Sequence, residues 1–230
     1  MREDRSASAN ARIGRNQAAD ARSDQWIRAQ LVELARLISE WPGLTSSPAA
    51  ELIDDSLVLL EHLGEAQKVV DVGSGGGLPG LPLKIARPDL SVTLVEADQD
   101  KAAFLVRACA VLGLRDVEVL ARRAEEVGQD PLYREAFDVA VARALAPMPV
   151  LAELCLPLVR VGGRLLAQKT DSEDVNAAGR AIEAMGGALN VVVAAPSAAR
   201  GAGTVVIVDK LRSTPQAYPR RPGVPARKPL

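Results

Sequence analysis

The chain reads as an α/β protein: a Rossmann-like doubly wound sheet, mostly parallel, with an antiparallel C-terminal hairpin and an N-terminal helical cap. Three observations predict this. Short apolar runs alternate with stretches of helical periodicity between residues 67 and 210. The run Lys68–Val72 leads through a glycine-crowded turn into a helix with Pro82 in its first turn, an arrangement that presents main-chain N–H groups at one edge of a sheet. Two late runs, Leu189–Ala195 and Gly203–Asp209, are joined by a loop too short for a crossover helix and must pair antiparallel.

Residues 1–23 are small, polar and charged, and read as a disordered segment. From Asp24, an N-cap, the residues Ile27, Leu31, Leu34, Leu37 and Ile38 recur at helical spacing until Trp41-Pro42-Gly43 stops the helix. A second helix is expected over Ala49–Leu63, and the two make a cap over residues 24–66. Trp26 and Trp41 read as packing residues of this cap, and the lone His62 as structural.

The α/β domain spans residues 67–210. Strands are expected at Lys68–Val72, Ser91–Glu96, Val117–Leu120, Phe137–Ala142 and Arg164–Gln168, and helices at Leu81–Ala86, Gln99–Leu112, Ala124–Val127, Met148–Leu158 and Ser172–Met185. Residues 211–230 form a proline-rich basic tail, with Arg212, Arg220, Arg221, Arg227 and Lys228 and no acid among them. This is a local basic arm on a chain whose 28 basic and 29 acidic residues leave a net charge of −1 and exclude bulk coating of nucleic acid; residues 219–230 could fold back over the site or reach an anionic partner, and the sequence leaves both open. Aromatics are 3% of the chain, which argues against base stacking on a platform. Although 48% of residues are hydrophobic, no run approaches the ~20 apolar residues of a membrane span. The first residues, MREDRSASANARIGRNQ, lack the apolar core of a secretory signal, and Cys109 and Cys155 lack metal-site spacing. A cytoplasmic protein without metal or membrane attachment is expected.

Gly75, Gly77 and Gly80 satisfy the dinucleotide pattern G-x-G-x-x-G, with Glu96 placed to meet a ribose. The wider pattern is D-x-G-x-G-x-G, from Asp71 through Gly73, Gly75 and Gly77. A carboxylate at Asp71 would repel a pyrophosphate but suit the ammonium and sulfonium of S-adenosylmethionine, so a methyl donor is expected in place of NAD. Past the other strand ends stand Arg123-Ala124-Glu125, Arg143 and Lys169, whose three cations would make a groove for phosphates. Methyl transfer to a lone-pair nitrogen such as guanine N7 needs chiefly positioning, in keeping with the lack of a Ser-His-Asp or metal-binding pattern.

The stretches VVDVGSGGGLPGLPLKIARPDLSVTLVEADQDKAAFL, RRAEEV, AVARALAPMPVLAELCLPLVRVGGRLLAQK and AYPRRPGVPARKPL together resemble the ribosomal RNA small-subunit methyltransferase G family, also called GidB, from about Trp41 to Leu230. The resemblance implies a class I S-adenosylmethionine-dependent methyltransferase fold. It also implies N7-methylation of one guanine in the decoding region of small-subunit (16S) ribosomal RNA, with that RNA or the small ribosomal subunit as partner of a monomer. By position, it assigns the donor to Gly73, Leu78, Glu96, Ala97, Asp98, Ala124, Glu125 and Arg143, in addition to Asp71, Gly75 and Gly77 of the loop. Arg123, Arg143 and Lys169 become the catalytic candidates. The chain departs from the family pattern at Gly43, Leu52, Ala142 and Thr170, on the substrate side. A methyltransferase for another RNA, or a catalytically weak relative that binds ribosomal RNA, are the alternatives these departures raise.

Overall fold

The computed structural model describes residues 23–230. The segment expected to be disordered therefore lies outside the described residues, apart from Ser23, which is already helical. Helix α1 covers residues 23–40 and α2 spans Ala49–Leu57. Both lay an apolar stripe on the body of the molecule: Leu34, Leu37 and Ile38 from α1, and Leu52 and Ile53 from α2, are buried. Trp41 meets the Phe104 ring edge to face at 5.4 Å, as expected of a packing residue. Trp26 does not pack in this way; it stays 42% exposed.

The remaining elements alternate: β1 (Lys68–Val72), α3 (Gly80–Ala86), β2 (Ser91–Val95), α4 (Gln99–Val111), β3 (Val117–Leu120), α5 (Ala124–Gln129), β4 (Phe137–Arg143), α6 (Met148–Cys155), β5 (Val159–Thr170), α7 (Gly179–Ala184), β6 (Gly187–Ala194), β7 (Gly203–Lys210) and α8 (Val224–Arg227). They build one seven-stranded sheet in the order β3-β2-β1-β4-β5-β7-β6. The late hairpin pairs antiparallel as its short loop requires, but β7 inserts between β5 and β6, so β7 alone runs against the rest. Strand order reverses between β1 and β4, and a crevice opens at their carboxyl ends. One apolar cluster lies under α1, α2, α3 and α4, and a second under α6 and α7 on the opposite face.

Three elements differ from expectation for local reasons. The helix expected over Ser172–Met185 shrinks to a 3-10 turn at Asn176–Ala178 and the short α7. Its first residues are drawn elsewhere: Glu173 accepts the Met148 N–H at 2.6 Å and Asp174 accepts the Asn176 N–H at 3.1 Å. The second cap helix stops at Leu57 and continues only as a 3-10 turn at Leu60–His62. Strand β5 begins at Val159, with a register shift opposite Phe137 and Val139 where Gly162 and Gly163 bend it; a Cβ on Gly163 would stand 2.4 Å from the Asp138 carbonyl oxygen.

Helix α3 approaches the sheet through Gly80. A Cβ there would lie 2.6 Å from Leu94 Cδ2 and 2.8 Å from Asp71 Oδ2. Gly80→Ala is therefore expected to destabilise the protein by about 1–3 kcal/mol through overpacking, read as a lower urea midpoint. An unchanged midpoint would mean that α3 does not press on β1 this closely.

Candidate active site

The turn after β1 is folded on main-chain hydrogen bonds. Gly73 and Ser74 donate their N–H groups to the Val95 carbonyl at 2.8 and 3.1 Å, carrying the chain over the end of β2, and Gly77 donates to the Ser74 carbonyl at 2.8 Å. Gly77 adopts φ +82°, and a Cβ on it would stand 2.3 Å from Leu81 Cδ1, so both conformation and space demand glycine. At Gly75 an added Cβ would meet nothing nearer than 4.0 Å. The bare main chain there faces open space.

Two carboxylates hold this turn from opposite sides. Glu96, just past β2, accepts the Gly75 N–H through Oε2 and the Asp98 N–H through Oε1, both at 2.8 Å. Asp71, at the centre of the sheet between Leu94 and Val141, accepts the Gly80 N–H through Oδ2 at 2.9 Å. Its other oxygen, Oδ1, is buried without a partner. Burial pushes the Asp71 carboxyl up to about 7, only partly opposed by the Gly80 N–H, Ser74 and the positive charge of Arg143.

Above the turn opens a cavity of about 500 Å³, a volume in the range of small-molecule sites. Of the residues expected at the site, Gly73, Gly75, Leu78, Glu96, Ala97, Arg123, Ala124, Glu125 and Arg143 line it. Asp71, Gly77, Asp98 and Lys169 do not. Asp71 is fully buried beneath the loop, so its carboxyl group meets main chain and not the interior of the cavity. Gly77 shapes the turn, and Asp98 caps α4 by accepting the Asp100 and Lys101 N–H groups at 3.0 Å each. Lys169 donates to the Ala146 carbonyl and pairs with Glu173 at 3.3 Å. It fixes the turn after β4, whose Leu145 lies so close that a Cβ on Gly73 would be 2.5 Å from it.

Arg143 ends β4 and is mostly buried. Its Nε lacks a partner and its Nη1 stands 3.8 Å from Oδ2 of the fully buried Asp55 on α2. Asp55 Oδ1 is taken by Arg200 Nε and Ser197 Oγ, each at 2.6 Å, while Gln168 donates to the Asp55 carbonyl at 2.6 Å. Burial lowers the Arg143 pKa, and Asp55 is the largest opposing influence. The cap is thus wired by charge to the strand ends, which sequence reasoning missed; an acid on the apolar face of a helix, between Leu52 and Ser56, was the available signal. Also missed was Lys101, half-buried at the cavity; Gly223 and Ala226 line it from the tail, so that of the two courses the sequence left open the tail takes the one that folds back. Arg123 is exposed at the cavity and forms no ion pair among the described residues.

The family model described as "rRNA small subunit methyltransferase G" matches residues 43–200. A ribosomal RNA small subunit methyltransferase G of Moorella thermoacetica is 48% identical over 181 residues, covering 76% of this chain and 75% of that one. The protein of the same name from Lactobacillus delbrueckii subsp. bulgaricus is 46% identical over 225 residues, covering 90% and 91%. Among solved structures, a Burkholderia thailandensis 1,6-didemethyltoxoflavin-N1-methyltransferase with bound S-adenosylhomocysteine superposes with a TM-score of 0.54 at 18% identity, covering 71% of this chain and 79% of that one. The mitomycin 7-O-methyltransferase MmcR gives a TM-score of 0.57 at 16% identity, covering 70% and 55%. At such identities the likeness is one of fold.

The buried Asp71 makes stability depend on pH. Its carboxyl keeps a proton in the folded chain up to about pH 7, whereas the ordinary value is 3.8. Between these values the folded state binds more protons than the unfolded state, so this group's contribution to stability falls as pH rises through the window and levels off above it. The unfolding free energy of the wild type minus that of Asp71→Asn is expected to decline over that window in urea titrations. A constant difference would contradict a neutral acid beneath the loop.

Proposed function

Because the chain belongs to the rRNA small subunit methyltransferase G family, we propose that it transfers the methyl group of S-adenosylmethionine to N7 of one guanine in 16S ribosomal RNA, as a cytoplasmic monomer. The observation that carries the reading is the cavity itself: bare main chain at Gly75, a carboxylate at Glu96 beside it, and a rim that bears Lys101 and Arg123.

The residues present fit the donor. Gly75 leaves room that any side chain would fill, and the buried Arg143 Nε needs an acceptor that the protein does not supply. Glu96, Ala97, Ala124 and Glu125 would hold the nucleoside, and Arg143 the carboxylate of the amino acid. Once bound, the donor supplies a methyl group already activated on a sulfonium. What the protein adds is placement. The lone pair of guanine N7 lies in the plane of the base and carries no proton at neutral pH, so no general base is required. Glu96 and Glu125 are both tied to main-chain N–H groups, which gives them holding roles. Arg123, exposed, and Lys101, half-buried, line the cavity and would meet RNA phosphates, and cations there would orient the acceptor. Lys169, expected to be catalytic, becomes a positioning residue, since its ammonium is spent on Ala146 and Glu173.

The test is a map of N7-methylguanine in 16S ribosomal RNA from cells with and without the gene. One modified guanine should disappear with the gene and return with the wild-type copy; retention of every such nucleotide would overturn the reading. With purified protein, Glu96→Ala should weaken donor binding by roughly 1–3 kcal/mol in calorimetry, the scale of lost hydrogen bonds to a charged group. Arg123→Ala should leave donor affinity intact while lowering the salt slope of RNA binding by about one phosphate contact.

A further inference from the structure

Arg200, in the loop between β6 and β7, ties four elements together. Its Nε donates to Asp55 Oδ1 of α2 at 2.6 Å, its Nη1 to the Lys169 carbonyl of β5 at 2.6 Å and to the Thr204 carbonyl of β7 at 2.9 Å, and its Nη2 to the Ala195 carbonyl just past β6 at 3.1 Å. Gly203 makes room for this guanidinium, since a Cβ there would stand 2.5 Å from Nη1. The planar fork holds its acceptors in one arrangement. Ser197 Oγ donates to the same Asp55 oxygen at 2.6 Å and accepts the Arg200 N–H at 3.2 Å. With two donors on Oδ1, the Asp55 carboxylate cannot turn freely. Its Oδ2 is buried without a hydrogen bond, 3.8 Å from Arg143 Nη1.

The charges in this buried group do not balance. Arg143 and Arg200 share the single carboxylate of Asp55. Lys169 is already matched by Glu173, and Asp71 keeps its proton up to about pH 7. One negative charge is missing. Burial is the main pressure against the charge on Arg143, Asp55 is the chief support for it, and the like charge of Arg200 works against it. A buried cation is costly without a partner, and the buried Arg143 Nε has none. Of the three charged groups, only Arg143 lines the cavity, so the missing charge can arrive there alone.

We propose that Asp55 is a positioning residue for the donor: locked from behind by Arg200 and Ser197, it holds the Arg143 guanidinium at the cavity, and the donor's carboxylate supplies the negative charge that the two arginines lack. The inference rests on the cavity being the donor site and extends that site to residues of the cap and of the β6–β7 loop that do not line it.

Calorimetry on the full chain with S-adenosylhomocysteine and with 5′-methylthioadenosine, the same nucleoside thioether without the amino-acid end, tests this. The wild type should prefer S-adenosylhomocysteine by at least about tenfold, the scale of hydrogen bonds between charged groups. Asp55→Asn, which keeps the shape and removes the charge, should lose about tenfold for S-adenosylhomocysteine and less than about twofold for the truncated compound. Arg143→Ala should show the same selective loss, and the double variant should bind no worse than Arg143→Ala, because the two residues act as one unit. A role in stability alone would weaken both ligands alike. If Asp55→Asn does not fold, Ser197→Ala decides: freeing Oδ1 from one donor should cost S-adenosylhomocysteine about threefold and the truncated compound nothing. Equal losses for the two ligands, unaltered binding by the folded variants, or losses that multiply in the double variant would overturn the positioning role. A wild type without preference would take Arg143 from the carboxylate, and the inference with it; a wild type that bound neither compound would bring down the donor reading itself.

Discussion

The structure depends on two carboxylates that hold one turn from opposite sides. Five glycines between Gly73 and Gly80 make a segment with a large entropy to lose, and glycine-rich chain does not settle into one shape unaided. Glu96 fixes the turn at Gly75 and at Asp98, and Asp71 fixes it at Gly80. Burying Asp71 between hydrocarbon strands is costly, with one oxygen unpartnered. The return is a main-chain surface whose shape is set before any ligand arrives.

From that turn the site is assembled by parts far apart in the sequence. Leu145 presses on Gly73, which ties the turn after β4 to the turn after β1. Lys169 and Glu173 brace the same turn from β5 and the loop beyond it, and Asp55 reaches from the cap to the two arginines behind it. The tail seals the far end through Gly223. Each connection is a charge-assisted hydrogen bond, an ion pair or a close packing contact in a partly dehydrated setting, where electrostatic interactions are stronger than in water. A methyl transfer that asks for alignment more than for proton movement suits a cavity built in this way.

Much of this was legible in the sequence because local pattern carried it. The alternation of strands and helices, the antiparallel pairing of the last two strands and the glycine turn follow from periodicity and turn chemistry. Glu96, read in the sequence as a partner for a ribose, holds the loop through the Gly75 and Asp98 N–H groups. What escaped were contacts between remote segments. Nothing near Asp71 signals that its side chain is sealed under Gly80, nothing near Lys169 shows that Ala146 and Glu173 occupy it, and a cluster of arginines and prolines at the end of a chain leaves its course open until Glu153 is seen to hold Arg220. The helix expected from Ser172 failed because Glu173 had a better partner at the start of α6.

The central claim is that the donor seat exists ready-made, with Gly75 and Gly80 locked by carboxylates in the free protein. Hydrogen exchange at these two amides, followed by NMR without any ligand, addresses it directly. The account predicts that both exchange as slowly as neighbouring amides of β1 and change little when S-adenosylmethionine is added. Exchange at the rate of an open loop, becoming slow only with the donor present, would contradict it.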